Sequence, residues 1–215
     1  MLKVLSIIKP SIKVLVIVLC LGFCIFSLIK NADPYFDTSK LPKLQIGDLV
    51  LRKGAVLDSS IITHLSKSNY SHIGIISALS PQIMVTHATT DDELTHKDAV
   101  VTTPLKVFLA KAFAKKIAIL RLNFIDDEKA QLIVDKVKQK LGYPYYITGD
   151  KNSPKKMYCT TLLDDAIKEV TPEFSLQYQH VNQPIFKGDY LFVEAFFQIK
   201  DKTLLYQRYF QNFEA

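Results

Sequence analysis

Two β-branched segments joined by a short turn place the strongest constraint on how this chain folds. Residues 71–77 and 82–88 are each bounded by polar residues, and residues 78–81 end in the Ser80-Pro81 pair typical of a turn. The pattern predicts a β-hairpin. Each of its two strands carries one histidine, His72 on the first and His87 on the second.

The register of this hairpin decides whether the two histidines meet. If the turn is centred between Leu79 and Ser80, opposed residues have numbers that sum to 159, and His72 then faces His87. Directly opposed residues share a face of the sheet, with Cβ atoms about 4.5–5.5 Å apart. We therefore expect the two imidazoles to lie within reach of each other. A slip of one residue would place them on opposite faces.

The segment Met157–Leu163 holds the only cysteine outside the first thirty residues. Apolar residues continue from it at helical spacing, at Leu162, Leu163, Ala166, Ile167 and Val170. The pattern predicts a helix that opens at Cys159, directly after Lys155 and Lys156. A helix N-terminus and nearby cations favour the thiolate, so Cys159 is a candidate nucleophile. The alternative is a buried structural cysteine.

The remaining pattern predicts an α+β domain, in which an antiparallel sheet packs against helices that include the Cys159 helix. Apolar and β-branched runs indicate further strands and 3.6-residue periodicity indicates further helices, while residues 54–68 stay undecided. The predicted strands are 46–52, 100–101, 117–122, 188–193 and 204–206, and the predicted helices are 104–116 and 126–141.

The N-terminal thirty residues predict a membrane anchor. Residues 14–29 are apolar and uncharged between Lys13 and Lys30, so a span of about 12–29 is at the short end of what crosses a bilayer. Lysines on its N-terminal side hold that end in the cytoplasm, and no small-x-small cleavage site follows. The predicted organisation is an uncleaved single-pass anchor at 1–30, a tether at 31–45, and a domain at 46–215 on the extracytoplasmic, periplasmic side of the cytoplasmic membrane.

Composition excludes several function classes. The formal charge of +6 falls to about +2 without the four lysines of residues 1–30, and no nucleic-acid motif follows, so nucleic acid is not an expected partner. The chain has seven glycines and no phosphate-cradling loop, so no nucleotide cofactor is expected. Cys20 and Cys24 lie in the predicted span, where packing in lipid is their expected role. Cys159 is then a free thiol in the folded domain.

Three residues can supply the parts that nucleophilic thiol catalysis needs. Cys159 is the predicted nucleophile, His72 the base, and His87 the group that orients His72. The backbone N–H of Cys159 would supply one donor to the oxyanion. Two histidines and a cysteine could also bind zinc, with a carboxylate from Asp48 or Glu93 as the fourth ligand. No closely spaced ligand pair supports that reading, and no metal is predicted.

The order of these motifs resembles the circularly permuted papain-like enzymes of the NlpC superfamily, in particular the YiiX and YaeF group and, more distantly, the lecithin:retinol acyltransferases. The resemblance spans about residues 46–193. Its motifs are Gly47-Asp48-Leu49-Val50, Ser71-His72-Ile73-Gly74-Ile75, Val85-Thr86-His87-Ala88, Gly142-Tyr143-Pro144-Tyr145 and Tyr158-Cys159-Thr160-Thr161-Leu162-Leu163.

The resemblance implies a permuted papain-like fold with Cys159 as nucleophile and His72 as base. His87 stands at the position of the third polar group, where YiiX-like members often have glutamate and the acyltransferases have histidine. Two departures bear on specificity. Thr160-Thr161 stands where serine and an acid are commoner, and Tyr146 stands where aspartate is common.

Three functions are compatible with this pattern. The leading hypothesis is a membrane-tethered cysteine hydrolase that cleaves an amide bond of a cell-wall peptide through an acyl-enzyme. The second keeps the same Cys/His/His site but acts on a lipid acyl group, as hydrolase or acyltransferase. The third is a non-enzymatic envelope protein that binds a peptide or fatty ligand.

Overall fold

The computed structural model describes residues 34–54, 68–90, 98–184 and 186–210, together with positions 17 and 19. The chain divides into two compact units, Met1–Pro34 and Tyr35–Ala215. In the first unit, Ile17 and Leu19 are helical and exposed. The rest of the predicted anchor at 1–30 lies outside the described residues. Within the described part of the chain, no helix has the length and apolar character needed to cross a bilayer.

An antiparallel sheet forms the centre of the second unit. Its six described strands lie in the order β4-β3-β2-β1-β5-β8, and a separate hairpin pairs β6 with β7. Every neighbouring pair is antiparallel, so the predicted α+β class with an antiparallel sheet is confirmed. The strands are β1 Leu49–Lys53, β2 His72–Ala78, β3 Met84–Thr89, β4 Ala99–Pro104, β5 Lys116–Leu122, β6 Gln179–Asn182, β7 Lys187–Tyr190 and β8 Lys202–Tyr209.

Short and medium helices pack around the sheet. They are α1 Leu105–Phe108, α2 Asp127–Lys138, α3 Cys159–Val170 and α4 Val193–Phe197, preceded by a 3-10 turn at Thr38–Lys40. Helix α2 begins where the Asp126 carboxylate accepts a hydrogen bond from the Lys129 N–H at 2.8 Å. Gly142 follows the end of this helix with φ of 82°, a conformation that favours glycine. Helix α3 begins at Cys159, as the sequence predicts.

The two faces of the sheet bury different sets of residues, because successive side chains of a strand point to opposite faces. On one face, Ile73 and Ile75 of β2 belong to the core that includes helices α2 and α3. On the other face, Ile76 of β2 and Val85 of β3 pack with Phe108 of α1. The Cys159 helix therefore covers one face and α1 covers the opposite one.

The hairpin register differs from the predicted one by two residues. Ile75 lies opposite Thr86 and Ile76 opposite Val85, so opposed residues have numbers that sum to 161 rather than 159. The connection spans 79–83, and an irregularity follows Ile76, which together displace the strands. A shift of two preserves the faces, so His72 and His87 still lie on the same side of the sheet.

Several predicted bounds were wrong. The helix predicted at 104–116 covers only Leu105–Phe108, because β4 continues to Pro104 and later residues form separate turns. Leu109, Ala110 and Ala114 are all buried there, so packing against the sheet overrides helical propensity. The strand predicted at 188–193 ends at Tyr190, and α4 begins at Val193. Strand β6 was not predicted.

Candidate active site

The two histidines of the hairpin are hydrogen-bonded to each other. His72 opens β2, and its Nε2 lies 2.9 Å from Nδ1 of His87 on β3. The two rings are nearly perpendicular, with centroids 5.0 Å apart, and Phe108 of α1 packs against both. His87 is fully buried. The structure therefore brings together the two imidazoles that the sequence analysis paired, on the α1 face of the sheet.

Gly74 makes room for this pair. A methyl group at Gly74 would lie against Val85 Cγ1 and 3.1 Å from the Cβ of His87. That separation is tight for two carbon atoms, so a larger residue would displace the neighbouring strand. The glycine in the motif Ser71-His72-Ile73-Gly74-Ile75 thus has a packing role beside the imidazoles.

Thr103 of β4 extends the hydrogen-bonded chain. Its Oγ1 lies 3.0 Å from Nε2 of His87, and both groups are buried. If the hydroxyl accepts from His87 Nε2–H, then Nδ1 of His87 is the acceptor for Nε2–H of His72. This set of tautomers leaves Nδ1 of His72 unprotonated, as a base requires. Thr103 was missed by the sequence analysis, because the predicted strand at 100–101 stopped before it.

Arg52 is a cation that acts on both imidazoles. It lies on β1 directly opposite His72, and its guanidinium stacks over Phe108, with Cζ 4.6 Å from the ring centroid. One of its NH groups donates to the carbonyl of Phe108 at 2.9 Å. Burial, and then the Arg52 charge, hold the pKa of both His72 and His87 well below the ordinary value for histidine. Both imidazoles are therefore neutral at pH 7. The only indication of this role in the sequence is that Arg52 is a cation in a predicted strand that is otherwise largely apolar.

Cys159 lies at the start of α3 with its thiol buried. Burial raises the pKa of this thiol to about 11, against smaller opposing effects from backbone N–H groups, including that of Ile73, and from Arg52. The N–H of Ile73 belongs to the peptide bond that joins it to His72, so the sulfur lies beside the start of β2. Among the described side chains, no hydrogen bond joins Cys159 to either imidazole.

The electrostatic state of the thiol differs from the expectation. The sequence analysis assigned activation to the helix N-terminus and to Lys155 and Lys156. The N–H groups of the helix start do lower the pKa of the thiol, but Lys156 pairs with Asp165 at 3.4 Å and the cation that acts on the thiol is Arg52. Burial, which raises the pKa of the thiol, outweighs the lowering by Arg52. Burial therefore favours the neutral thiol and the neutral imidazole over their charged forms.

The two threonines after Cys159 hold the helix terminus in place. Thr161 Oγ1 accepts from the N–H of Tyr158 at 3.0 Å and donates to its carbonyl at 3.1 Å. Thr160 Oγ1 donates to the carbonyl of Leu191 at 2.7 Å, and the N–H of Leu191 donates to the Tyr158 hydroxyl at 3.1 Å. Thr160-Thr161, a departure from the family pattern, thus fixes the backbone that carries the thiol.

The zinc alternative loses one of its proposed ligands. Both carboxylate oxygens of Asp48 accept hydrogen bonds from Arg121 at 2.8 Å, and one also accepts from the N–H of Gln45 at 2.7 Å. Asp48 therefore belongs to an ion pair with Arg121. Glu93 lies outside the described residues. In the ranges that the structure describes, no cluster of three or more His, Cys, Asp and Glu side chains could hold a metal ion.

The antiparallel sheet, the histidine strand and the later cysteine helix together define a permuted papain-like class of protein. A sequence model described as "permuted papain-like amidase enzyme, YaeF/YiiX, C92 family" matches residues 43–199. The chain belongs to this family of amidases, and the resemblance seen in the sequence is confirmed.

A solved structure shares the fold. The crystal structure of the metalloprotein YiiX from Escherichia coli O157:H7 superposes with a TM-score of 0.62 at 18% sequence identity. The match covers 77% of this chain and 98% of that one. No curated protein matches the sequence.

Proposed function

We propose that the protein is a cysteine amidase in which Cys159 is the nucleophile. The observation that carries this proposal is the hydrogen-bonded chain of Thr103, His87 and His72, which ends at the first residue of β2, next in sequence to Ile73, whose N–H acts on the Cys159 thiol. Because His72 uses Nε2 to bind His87, its Nδ1 is the nitrogen that remains for the thiol.

The reaction then follows from the neutral resting state. As the sulfur attacks the carbonyl carbon, His72 Nδ1 takes the thiol proton, so the thiolate forms only during attack. His72 next gives that proton to the leaving amine, and an acyl-enzyme remains on Cys159. Water attacks the thioester carbonyl, His72 takes the proton of the water, and the proton returns to the sulfur as the acid leaves. The backbone N–H of Cys159 is a donor to the oxyanion.

Acyl trapping tests this proposal. The full chain is incubated with p-nitrophenyl acetate, quenched in acid and measured by intact mass and peptide mapping. We expect one acetyl group per chain, on Cys159, with Cys20 and Cys24 unlabelled as internal controls. Acetylation of another residue during turnover would overturn the assignment of the nucleophile.

A valine at Thr103 tests the tautomer chain. Thr103→Val keeps the shape but removes the buried hydroxyl that accepts from His87 Nε2–H, and the loss of this hydrogen bond costs about 1–3 kcal/mol. We expect kcat to fall about tenfold, and Thr103→Ser to restore it. Thr102→Val is the matched control, because Thr102 bonds to Thr86 on the other face of β4. An unchanged kcat in Thr103→Val, or an equal loss in Thr102→Val, would contradict this role.

The proposed substrate is a peptide of the cell wall, and the proposed location is the extracytoplasmic side of the cytoplasmic membrane. The apolar segment of residues 12–29, flanked by lysines, supports this location. A lipid acyl group is the second candidate substrate. It is favoured because residue 87 is a histidine, as in the acyltransferases, and not the glutamate common in YiiX-like members. Release of amine from peptide amides, compared with release of fatty acid from phospholipid micelles, distinguishes the two.

A further inference from the structure

A cleft of about 750 Å³ lies beside the Cys159 helix. Its walls come from the end of α2, the aromatic segment that follows it, residues 153–157, and α3. Clefts of this size hold ligands the size of a drug or a short peptide. The histidine pair, Arg52 and Thr103 do not line it, so the cleft is distinct from the group described above.

The cleft is joined to the segment that carries the thiol. Tyr146 and Met157 both line it and exchange two backbone hydrogen bonds of 2.9 Å. Met157 stands two residues before Cys159, and Leu162, three residues after it, also lines the cleft. A ligand held here is therefore in contact with residues on both sides of Cys159 in the sequence.

The walls of the cleft carry excess positive charge. Five lysines and two carboxylates line it. Lys136 pairs with Glu169 at 2.9 Å and Lys156 with Asp165 at 3.4 Å, so both carboxylates are neutralised. Lys168 also has a partner, because it pairs at 2.7 Å with Asp164.

The excess positive charge of the cleft belongs to Lys140 and Lys155. Neither forms an ion pair with a residue that the structure describes. Lys140 lies over the ring of Tyr143 at 5.1 Å, and Lys155 is exposed. Tyr143 and Tyr146 are each 49% exposed and line the same cleft as the two cations, so their rings offer it flat amphipathic surfaces.

We infer that this cleft binds an acidic peptide, whose carboxylates pair with Lys140 and Lys155 while its backbone packs on the tyrosines. The inference rests on the proposed amidase function, since it names the charge of that enzyme's substrate. A peptide is favoured over an anionic bilayer because the site is concave, and a bilayer surface cannot enter a cleft.

Binding is measured separately from turnover in the full-length Cys159→Ala variant. The probes are an acetylated, amidated tetrapeptide with two glutamates and its counterpart with two glutamines, titrated by calorimetry at low and high salt. We expect the glutamate peptide to bind more tightly, and the difference to shrink at high salt. Lys140→Gln with Lys155→Gln should weaken its binding about tenfold, since each charge pair contributes modestly in water.

Lys129→Gln is the matched control, because Lys129 lies on α2 but outside the cleft. It should leave binding unchanged. Equal binding of the two peptides, or equal losses in the cleft and control variants, would overturn the inference. Lysine dependence seen only with vesicles of phosphatidylglycerol and phosphatidylcholine would overturn it in favour of a lipid surface. Failed acetyl trapping on Cys159 with intact acid-selective binding would instead overturn the proposed function alone.

Discussion

Replacement of Cys159 by alanine should abolish acyl-enzyme formation and lower amide turnover by at least about 10³-fold. In the proposed mechanism the Cys159 sulfur forms the covalent bond to the acyl group, and the structure describes no other cysteine that could replace it. The side chain is small and its hydrogen-bonded neighbours Tyr158, Thr160 and Thr161 are untouched, so the free energy of unfolding should change by only about 1 kcal/mol. The measurements are kcat/KM with a peptide amide and urea unfolding.

His72→Ala should cause a loss of similar size. Nucleophile and base act as one unit, so the double variant should be no slower than either single variant. Replacement of Cys20 and Cys24 by alanine is the control and should leave kcat/KM unchanged. Retained turnover in Cys159→Ala would refute the thiol mechanism, and additive losses in the double variant would show that His72 acts independently of Cys159.

The contact between His72 and His87 could be predicted although the register was wrong. A strand has a period of two, so any even displacement keeps a side chain on its face. The true displacement was two, and the imidazoles meet diagonally instead of directly. A displacement of one, which the same turn sequence did not exclude, would have separated them. The prediction depended on parity and not on the exact turn.

Arg52 and Thr103 could not be assigned from the sequence, because their roles arise from pairings between distant strands. Arg52 precedes His72 by twenty residues, and the β1–β2 register alone places them opposite each other. Thr103 reaches His87 only because β4 extends to Pro104, where the sequence suggested the start of a helix. Strand length at such points is set by packing against the sheet rather than by local propensity.

The state of the Cys159 thiol was mispredicted for a related reason. Its neighbours in the sequence, Lys155 and Lys156, are cations, but depth of burial is a property of the assembled fold. Desolvation dominates and favours the neutral thiol. Local charge in a sequence is thus a poor guide to the protonation of a residue that begins a buried helix.

The same burial makes the stability of the fold depend on pH. His72 and His87 have pKa values well below that of an exposed histidine, so the folded state excludes protons that the unfolded chain binds below about pH 6.5. The stability they contribute is present above pH 6.5 and is lost as the pH falls. Between about pH 6 and 5 the free energy of unfolding should fall by up to about 1.4 kcal/mol per pH unit for each imidazole.

Urea unfolding of the full chain at a series of pH values measures this slope. The variant with His72→Gln and His87→Gln should lose the slope, whereas His180→Gln should retain it, since His180 is exposed and bonds to Asp189. At alkaline pH the Cys159 thiol has the opposite effect, and it makes the free energy of unfolding fall as the pH rises. Its pKa is raised to about 11, so the folded state retains a proton that the unfolded chain releases. Stability should therefore decline above about pH 9, and Cys159→Ala should decline less. A flat profile from pH 5 to 7 in the unmodified protein would mean that the imidazoles titrate in the fold as they do in the unfolded chain, and the lowered pKa values of His72 and His87 would be wrong.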